Sequence, residues 1–232
     1  MADPHLSSQR LQRAIRHRGE ILVIGLGRFG SSLARELMNM GCEVLGVDTN
    51  LERIQAHMDV LTQVVQADST NEQAMRQIGA ADAETAVICI GTDIESSVLT
   101  AACLVDLGVE NIWAKAITES HGKILERVGA QHVVFPEADM GVRVAHLLTG
   151  RMLEYVELDD DFALVETLAP PFLVGIPLGD SGLRARYKVT VVCVKAPGST
   201  FTYADRQTVL GPEDLIVVAG HNADVARFTD NT

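Results

Sequence analysis

The sequence predicts an α/β protein: a doubly wound parallel sheet first, then a small α+β domain. Three observations carry this reading. Six short apolar runs alternate with amphipathic stretches between Glu20 and Phe135. A Gly-x-Gly-x-x-Gly string follows the first run. Beyond Gly150 the alternation gives way to short strand-like segments parted by turn clusters.

Taken in order, Ile21-Leu22-Val23-Ile24 is an apolar run of the buried-strand kind, ended by Gly25. From Ser31 to Met40, the side chains of Leu33, Leu37 and Met40 share one helical face, and Gly41 stops the helix. Val44 to Val47 is the next strand and Leu51 to Met58 the next helix. Val64-Val65 then reads as strand, Asn71 to Ile78 as helix and Ala86 to Ile90 as strand. Ile94 to Leu107 and Ser120 to Val128 read as helices, flanking a strand at Ile112 to Ala114, and Val133 to Phe135 is the sixth strand. Parallel strands require crossover connections, which here are helical, so the sheet is wrapped on both faces in the Rossmann manner.

Pro136 is expected to end the alternation, with one more helix from Met140 to Leu148, closed by Gly150. Val156 to Leu158, Ala163 to Leu168, Thr190 to Val194 and Leu215 to Val218 then read as strands, with a helix near Ser181 to Tyr187. Asp159-Asp160-Asp161, Pro170-Pro171 and Ala196 to Ser199 supply the turns. The expected division is a basic leader at 1–19, a first domain at 20–150 and a second at 151–232. The leader, with Arg10, Arg13, Arg16 and Arg18, is either an irregular start or one or two helical turns through Leu6, Leu11 and Ile15.

Composition narrows the function classes. The 232 residues are 47% hydrophobic with a net charge of −12, so the surface repels a phosphate backbone, which disfavours general nucleic-acid binding. Cys42, Cys89, Cys103 and Cys193 form no CxxC pair and do not alternate with histidine at ligand spacing; they read as small core residues in a reducing cytosol. No signal-peptide core follows the leader, and no run approaches the ~18 apolar residues of a membrane span. The expectation is a cytosolic chain whose membrane role, if any, comes through a partner.

Gly25-Leu26-Gly27-Arg28-Phe29-Gly30 follows a strand and opens a helix, and Asp48 ends the next strand. That context makes the string a phosphate-binding fingerprint. The first glycine permits the tight turn, the second lets backbone N–H groups approach a pyrophosphate, and the third lets helix and strand pack closely. The helix N-terminus adds partial positive charge. Asp48 can accept hydrogen bonds from both ribose hydroxyls, which disfavours a 2′-phosphate. Arg28 stands at the mouth of the loop, either clamping a terminal phosphate or as a solvated arginine. Asp68-Ser69 and Gly91-Thr92-Asp93 follow the third and fourth strands, where ligands bind in open α/β sheets. Asp68 and Ser69 either face an adenine edge or, with Thr70 and Asp93, cap the following helices.

Ile24 to Gly30, Val47-Asp48, Ala67-Asp-Ser-Thr70, Asn111-Ile-Trp-Ala-Lys-Ala116 and Pro136-Glu-Ala-Asp-Met-Gly141 together resemble the KtrA/TrkA family of cytosolic regulatory subunits of bacterial potassium uptake systems. The resemblance runs from Glu20 over nearly the whole chain and is nearest the single-unit KtrA type; the leader is longer than the family pattern. It implies an N-terminal nucleotide-binding RCK domain and a C-terminal RCK (TrkA-C) domain. It further implies ATP and ADP, or NAD(H), held by the loop with Phe29, Asp48, Asp68, Ser69, Gly91 and Lys115. Arg28 is implied at the terminal phosphates and Glu137 beside a cation such as magnesium. Dimers forming an octameric ring would gate a membrane potassium-translocating subunit at the inner face of the membrane. In the second domain, Leu183, Arg184 and Tyr187 resemble a stretch where relatives bind cyclic di-AMP; a helix with solvated arginines is the alternative.

Two other functions fit the first domain. A small NAD-dependent dehydrogenase, or an NAD(H) redox sensor, shares the glycine loop. Hydride transfer needs a placed acid or base, however, and none of the seven histidines sits with an Asp or Arg in a catalytic pattern. A free-standing nucleotide sensor shares every feature and differs only in what it touches. The chain is expected to be a regulatory protein and not an enzyme.

Overall fold

The computed structural model describes residues 20–148, 152–159 and 161–230. The leader, Gly150 and Asp160 lie outside the described residues. By its contacts the chain divides into two compact units, the second beginning at Glu137.

In the first unit, strand β1 is Ile21–Ile24, helix α1 Arg28–Asn39, β2 Val44–Asp48, α2 Leu51–His57 and β3 Gln63–Gln66. Helix α3 (Glu72–Gln77), β4 (Thr85–Ile88), α4 (Ile94–Asp106), β5 (Asn111–Lys115), α5 (Glu119–Val128) and β6 (His132–Val134) complete it. All six strands run parallel, in the order β3-β2-β1-β4-β5-β6. The doubly wound sheet predicted from the alternation is therefore present. Leu22, Leu45, Ile88, Ile112 and Leu125 fill the core of one face, and Val23, Val44, Leu26, Ala34 and Ile54 that of the other. Strands buried on both faces read as continuous apolar runs, which is why the runs were legible.

Helix starts follow polar caps. Asn50 accepts from the N–H groups of Glu52 and Arg53, Asn71 from Ala74, Asp93 from Ser96 and Thr118 from His121. Ser96 also donates its hydroxyl to Asp93, and these bonds hold that exposed carboxyl below its ordinary pKa.

Helix α6 spans Pro136–Leu148. Expected from Met140, it begins four residues earlier with Pro136 itself, because proline at the first helical position loses no hydrogen bond and its φ suits the helix. The second unit takes α6 from Glu137 onward, whereas the sequence reading placed the division near Gly150.

The second unit contains β7 (Glu154–Asp159), β8 (Phe162–Leu168), α7 (Leu183–Tyr187), β9 (Thr190–Lys195), β10 (Thr202–Tyr203), β11 (Leu215–His221) and α8 (Asn222–Thr229). Its sheet has the order β10-β9-β11-β8-β7 and is antiparallel throughout. The sequence pattern marks four of these strands but not β10, which is only two residues long. The expected elements also omit α8, although Val225 and Phe228 carry helical spacing and are both buried. No helix among the described residues is long and apolar enough to cross a membrane.

His121 gives the first unit a pH sensitivity. The residue is 1% exposed, Nδ1 accepts the N–H of Ile117 at 3.4 Å, and buried Nε2 has no partner among the described residues. Burial lowers its pKa. The folded state thus prefers the neutral ring, so stability is full above the unfolded value near 6.5 and falls as pH drops below it. Denaturant unfolding from pH 7.5 to 5.5 should show a slope in excess of that of His121→Gln by up to about 1.4 kcal/mol per pH unit. Equal slopes in the two proteins would remove His121 as the cause.

Candidate functional site

The carboxyl ends of β1, β2, β4 and β5 meet at one edge of the first sheet, and the strand order reverses between β1 and β4. In an open α/β sheet that is where a ligand-binding crevice forms. Gly25 enters it from β1, held by its N–H on the Val47 carbonyl at 2.7 Å, while the Cys89 N–H bonds the Ile24 carbonyl.

The three glycines have different physical reasons. Gly25 has φ +92°, a left-handed conformation that side chains rarely tolerate. Gly30 is required by packing: a Cβ there would lie 1.9 Å from the Gly25 carbonyl oxygen and 3.0 Å from the Cys89 Cβ. Gly27 has an ordinary φ of −71°, and a Cβ on it would meet nothing within 4 Å. Neither strain nor the protein's own packing calls for glycine at position 27, so the open space above it is the feature that fits close approach by a ligand.

Helix α1 differs from its neighbours in a way that suits an anion. Gly27 caps it without a side-chain acceptor, and its first turn holds no acidic residue. In contrast, α2, α3, α4 and α5 each have a side-chain cap and a glutamate in the first turn. The first N–H groups of α1 have no intrahelical acceptor, and its dipole is not offset by a carboxylate. Arg28 is the first residue of this helix; it is exposed, and its side chain bonds no other described residue.

Asp48 closes the second side of the crevice. Its side chain is 4% exposed. Oδ2 accepts the Leu26 N–H at 2.7 Å and an Arg53 guanidinium N–H at 3.1 Å, and Oδ1 accepts the Asn50 N–H at 2.8 Å. The expected ribose acceptor is therefore also an anchor of the glycine loop. Ser31 Oγ adds a bond to the Leu26 carbonyl at 2.8 Å. Arg53 and Asn50 were not singled out from sequence; their signal was an Asx cap and a basic residue one turn into the helix after Asp48.

Gly91, Lys115 and Phe29 come together. The Lys115 ammonium lies 5.6 Å from the Phe29 ring centroid and 3.1 Å from where a Gly91 Cβ would stand. Burial pushes the neighbouring Cys89 thiol up to about 12, with the Lys115 charge pulling the other way. Cys89 is thus a packing residue, as its apolar surroundings in the sequence suggested.

Ser69 takes neither expected role, and the cap of α3 is Asn71 rather than Ser69 or Thr70. Asp68 is exposed and accepts both the N–H and the hydroxyl of Thr70. The Ser69 hydroxyl does not face the crevice: it is buried and bonded to Thr100 Oγ1 at 2.7 Å. Glu137 is the second residue of α6 and belongs to the second unit. Among the described residues, no group of three or more His, Cys, Asp or Glu gathers as a metal site.

In the second unit, Gly182, Leu183, Arg184, Thr190, Asp205 and Arg206 line a cleft of about 570 Å³. Arg184 Nε donates to Thr190 Oγ1 at 3.1 Å. Tyr187, expected at the same ligand, is elsewhere. Its ring packs against Phe172 and Phe228 with Arg186 over it, because α7 turns that face into the core.

A Rossmann-type unit with a glycine loop at its switch point, followed by a small antiparallel α+β unit, defines a two-unit protein whose first unit has a nucleotide-binding fold. Residues 21–136 match the TrkA-N domain family. The chain is 37% identical over 210 residues to Ktr system potassium uptake protein A of Bacillus subtilis (strain 168), covering 90% of this chain and 95% of that one. It is 34% identical to the protein of the same name from Vibrio alginolyticus, over 87% of this chain and 92% of that one. The chain belongs to this TrkA-N family of Ktr potassium uptake proteins. Among solved structures, the GsuK RCK domain superposes with TM-score 0.62 at 22% identity, covering 96% of this chain and 51% of that one, so the chain spans about half its length. The NAD(P)-binding domain of an exopolyphosphatase-related protein from Archaeoglobus fulgidus superposes with TM-score 0.51 at 26% identity, over 57% of this chain and 99% of that one.

The different grounds for the glycines predict different mutant behaviour. Gly30→Ala should lose about 3 kcal/mol of stability, since backbone must move to admit the methyl. Gly27→Ala should stay within about 1 kcal/mol of the parent, the usual cost of alanine at an N-cap. Denaturant titration of both variants checks this; similar losses would contradict the assignment of Gly27 to ligand approach.

Proposed function

We propose that the chain is the nucleotide-binding regulatory subunit of a potassium channel or transporter, with an adenine nucleotide held at the glycine loop. The observation that carries this reading is the pairing of open space above Gly27 with an uncapped, carboxylate-free start of α1. The phosphates would lie on that helix start, with Arg28 at the terminal phosphate, the ribose at Asp48 and the base toward Asp68. Lys115, beside Gly91 and Phe29, supplies a further cation at the crevice.

ATP and ADP must bind two conformations of the assembly with different affinity for exchange to act as a switch. Arg28 would supply that difference through the γ-phosphate, and Glu137, the second residue of α6, is proposed separately as a residue beside a cation such as magnesium. Exposed Ile94, Leu99 and Val105 on α4, with Met140, Val142 and Val144 on α6, supply apolar surface for a homodimer and an octameric ring. The ring would act on a membrane potassium-translocating subunit from the cytoplasmic side. The cleft beside Arg184 and Arg206 suits a second phosphate-bearing ligand such as cyclic di-AMP.

A second reading is an NAD(H) sensor, favoured by the likeness to a domain described as NAD(P)-binding. Arg28 separates the two. Arg28→Ala should weaken ATP about tenfold or more and ADP no more than about threefold, the worth of one charge-assisted bond to the γ-phosphate. Calorimetric titration reads both; equal losses would count against γ-phosphate sensing by Arg28.

A further inference from the structure

Asp48 is a charged group held almost entirely out of water, and its bonds are asymmetric between the two oxygens. A carboxylate offers about four acceptor positions, two on each oxygen. On Oδ2 both are taken, one by the Leu26 N–H at 2.7 Å and one by Arg53 Nη1 at 3.1 Å. On Oδ1 one is taken, by the Asn50 N–H at 2.8 Å. Among the described residues one acceptor position therefore remains, and it is on Oδ1. Both backbone donors are fixed by their own elements: Leu26 is 2% exposed in the core beneath the loop, and Asn50 caps α2. The carboxylate cannot turn without losing one of them.

Arg53 is different. Its side chain is half exposed and reaches Asp48 from one turn along α2, so its bond can be removed without opening the core. It supplies the positive charge that offsets a buried carboxylate, and it fills the Oδ2 position that would otherwise face solvent or ligand.

We propose that Arg53 is a positioning residue for ribose recognition, restricting Asp48 to a single hydroxyl acceptor on Oδ1. This deepens the nucleotide reading of the glycine loop and rests on it. The ribose then binds asymmetrically: one of its two hydroxyls bonds the carboxylate and the other does not. The sequence alone suggested that Asp48 accepts both, because Arg53's occupancy of Oδ2 is invisible until α2 is placed beside β2.

The test uses the full chain and three probes: ATP, 2′-deoxyATP and 3′-deoxyATP, titrated by calorimetry. In the parent protein one deoxy analogue should bind about tenfold or more weakly than ATP, the worth of a hydrogen bond to a charged acceptor, and the other within about threefold. Arg53→Met keeps the stem and removes the donors. In that variant the freed Oδ2 position accepts the second hydroxyl, and the two deoxy analogues should come within about threefold of each other. Arg53→Lys restores a donor and should restore the asymmetry. Equal losses for the two analogues in the parent would overturn the proposal. So would an asymmetry that Arg53→Met leaves intact, including the case in which all three ligands weaken by one common factor. Failure of the parent to bind ATP at all would remove the nucleotide reading, and this inference with it.

Discussion

The first unit is organised around a contact too close for any side chain: the Gly25 carbonyl against the Cα of Gly30, where a Cβ would intrude to 1.9 Å. It draws the start of α1 down onto the end of β1. Only in that position do the free N–H groups of the helix point along the crevice at the reversal of strand order. The bond from Leu26 to Asp48 ties the same loop to β2, so loop shape and ribose side share one carboxylate. Displacing Gly30 would therefore disturb both walls of the crevice together.

What holds the loop and what the loop offers are separable. Gly25 and Gly30 answer to backbone strain and packing, and they would be needed in a protein that bound nothing. Gly27, the bare cap of α1 and the exposed Arg28 have no such internal reason. A stable fold gains from a side-chain cap, and the other four helices of the unit have one. The missing cap on α1 leaves the N–H groups to an outside acceptor, which is the trade expected at a binding site.

Most of the first unit was legible because a sheet buried on both faces writes itself as continuous apolar runs. The glycine loop was legible because its spacing is set by backbone geometry rather than by distant partners. The failures have physical causes. Ser69 looks like a ligand residue by position, yet Thr100, 31 residues on, captures its hydroxyl. Tyr187 neighbours Arg184 in sequence, but the turn of α7 carries its ring into an aromatic core built with Phe172 and Phe228. Proline's tolerance at a first helical position moved the start of α6. Arg53 and Asn50 gain their meaning only from the approach of α2 to the end of β2. In the second unit a two-residue strand is too short to leave a period, so β10 could not be read.

The central claim is that the glycine loop takes an adenine nucleotide whose terminal phosphate the protein distinguishes. Titrating the purified full chain with ATP, ADP, NAD and NADH, with and without magnesium, tests it most directly. The account predicts that ATP and ADP both bind, with affinities or magnesium dependence that differ. Binding of NAD or NADH alone, with no heat from either adenine nucleotide, would contradict it.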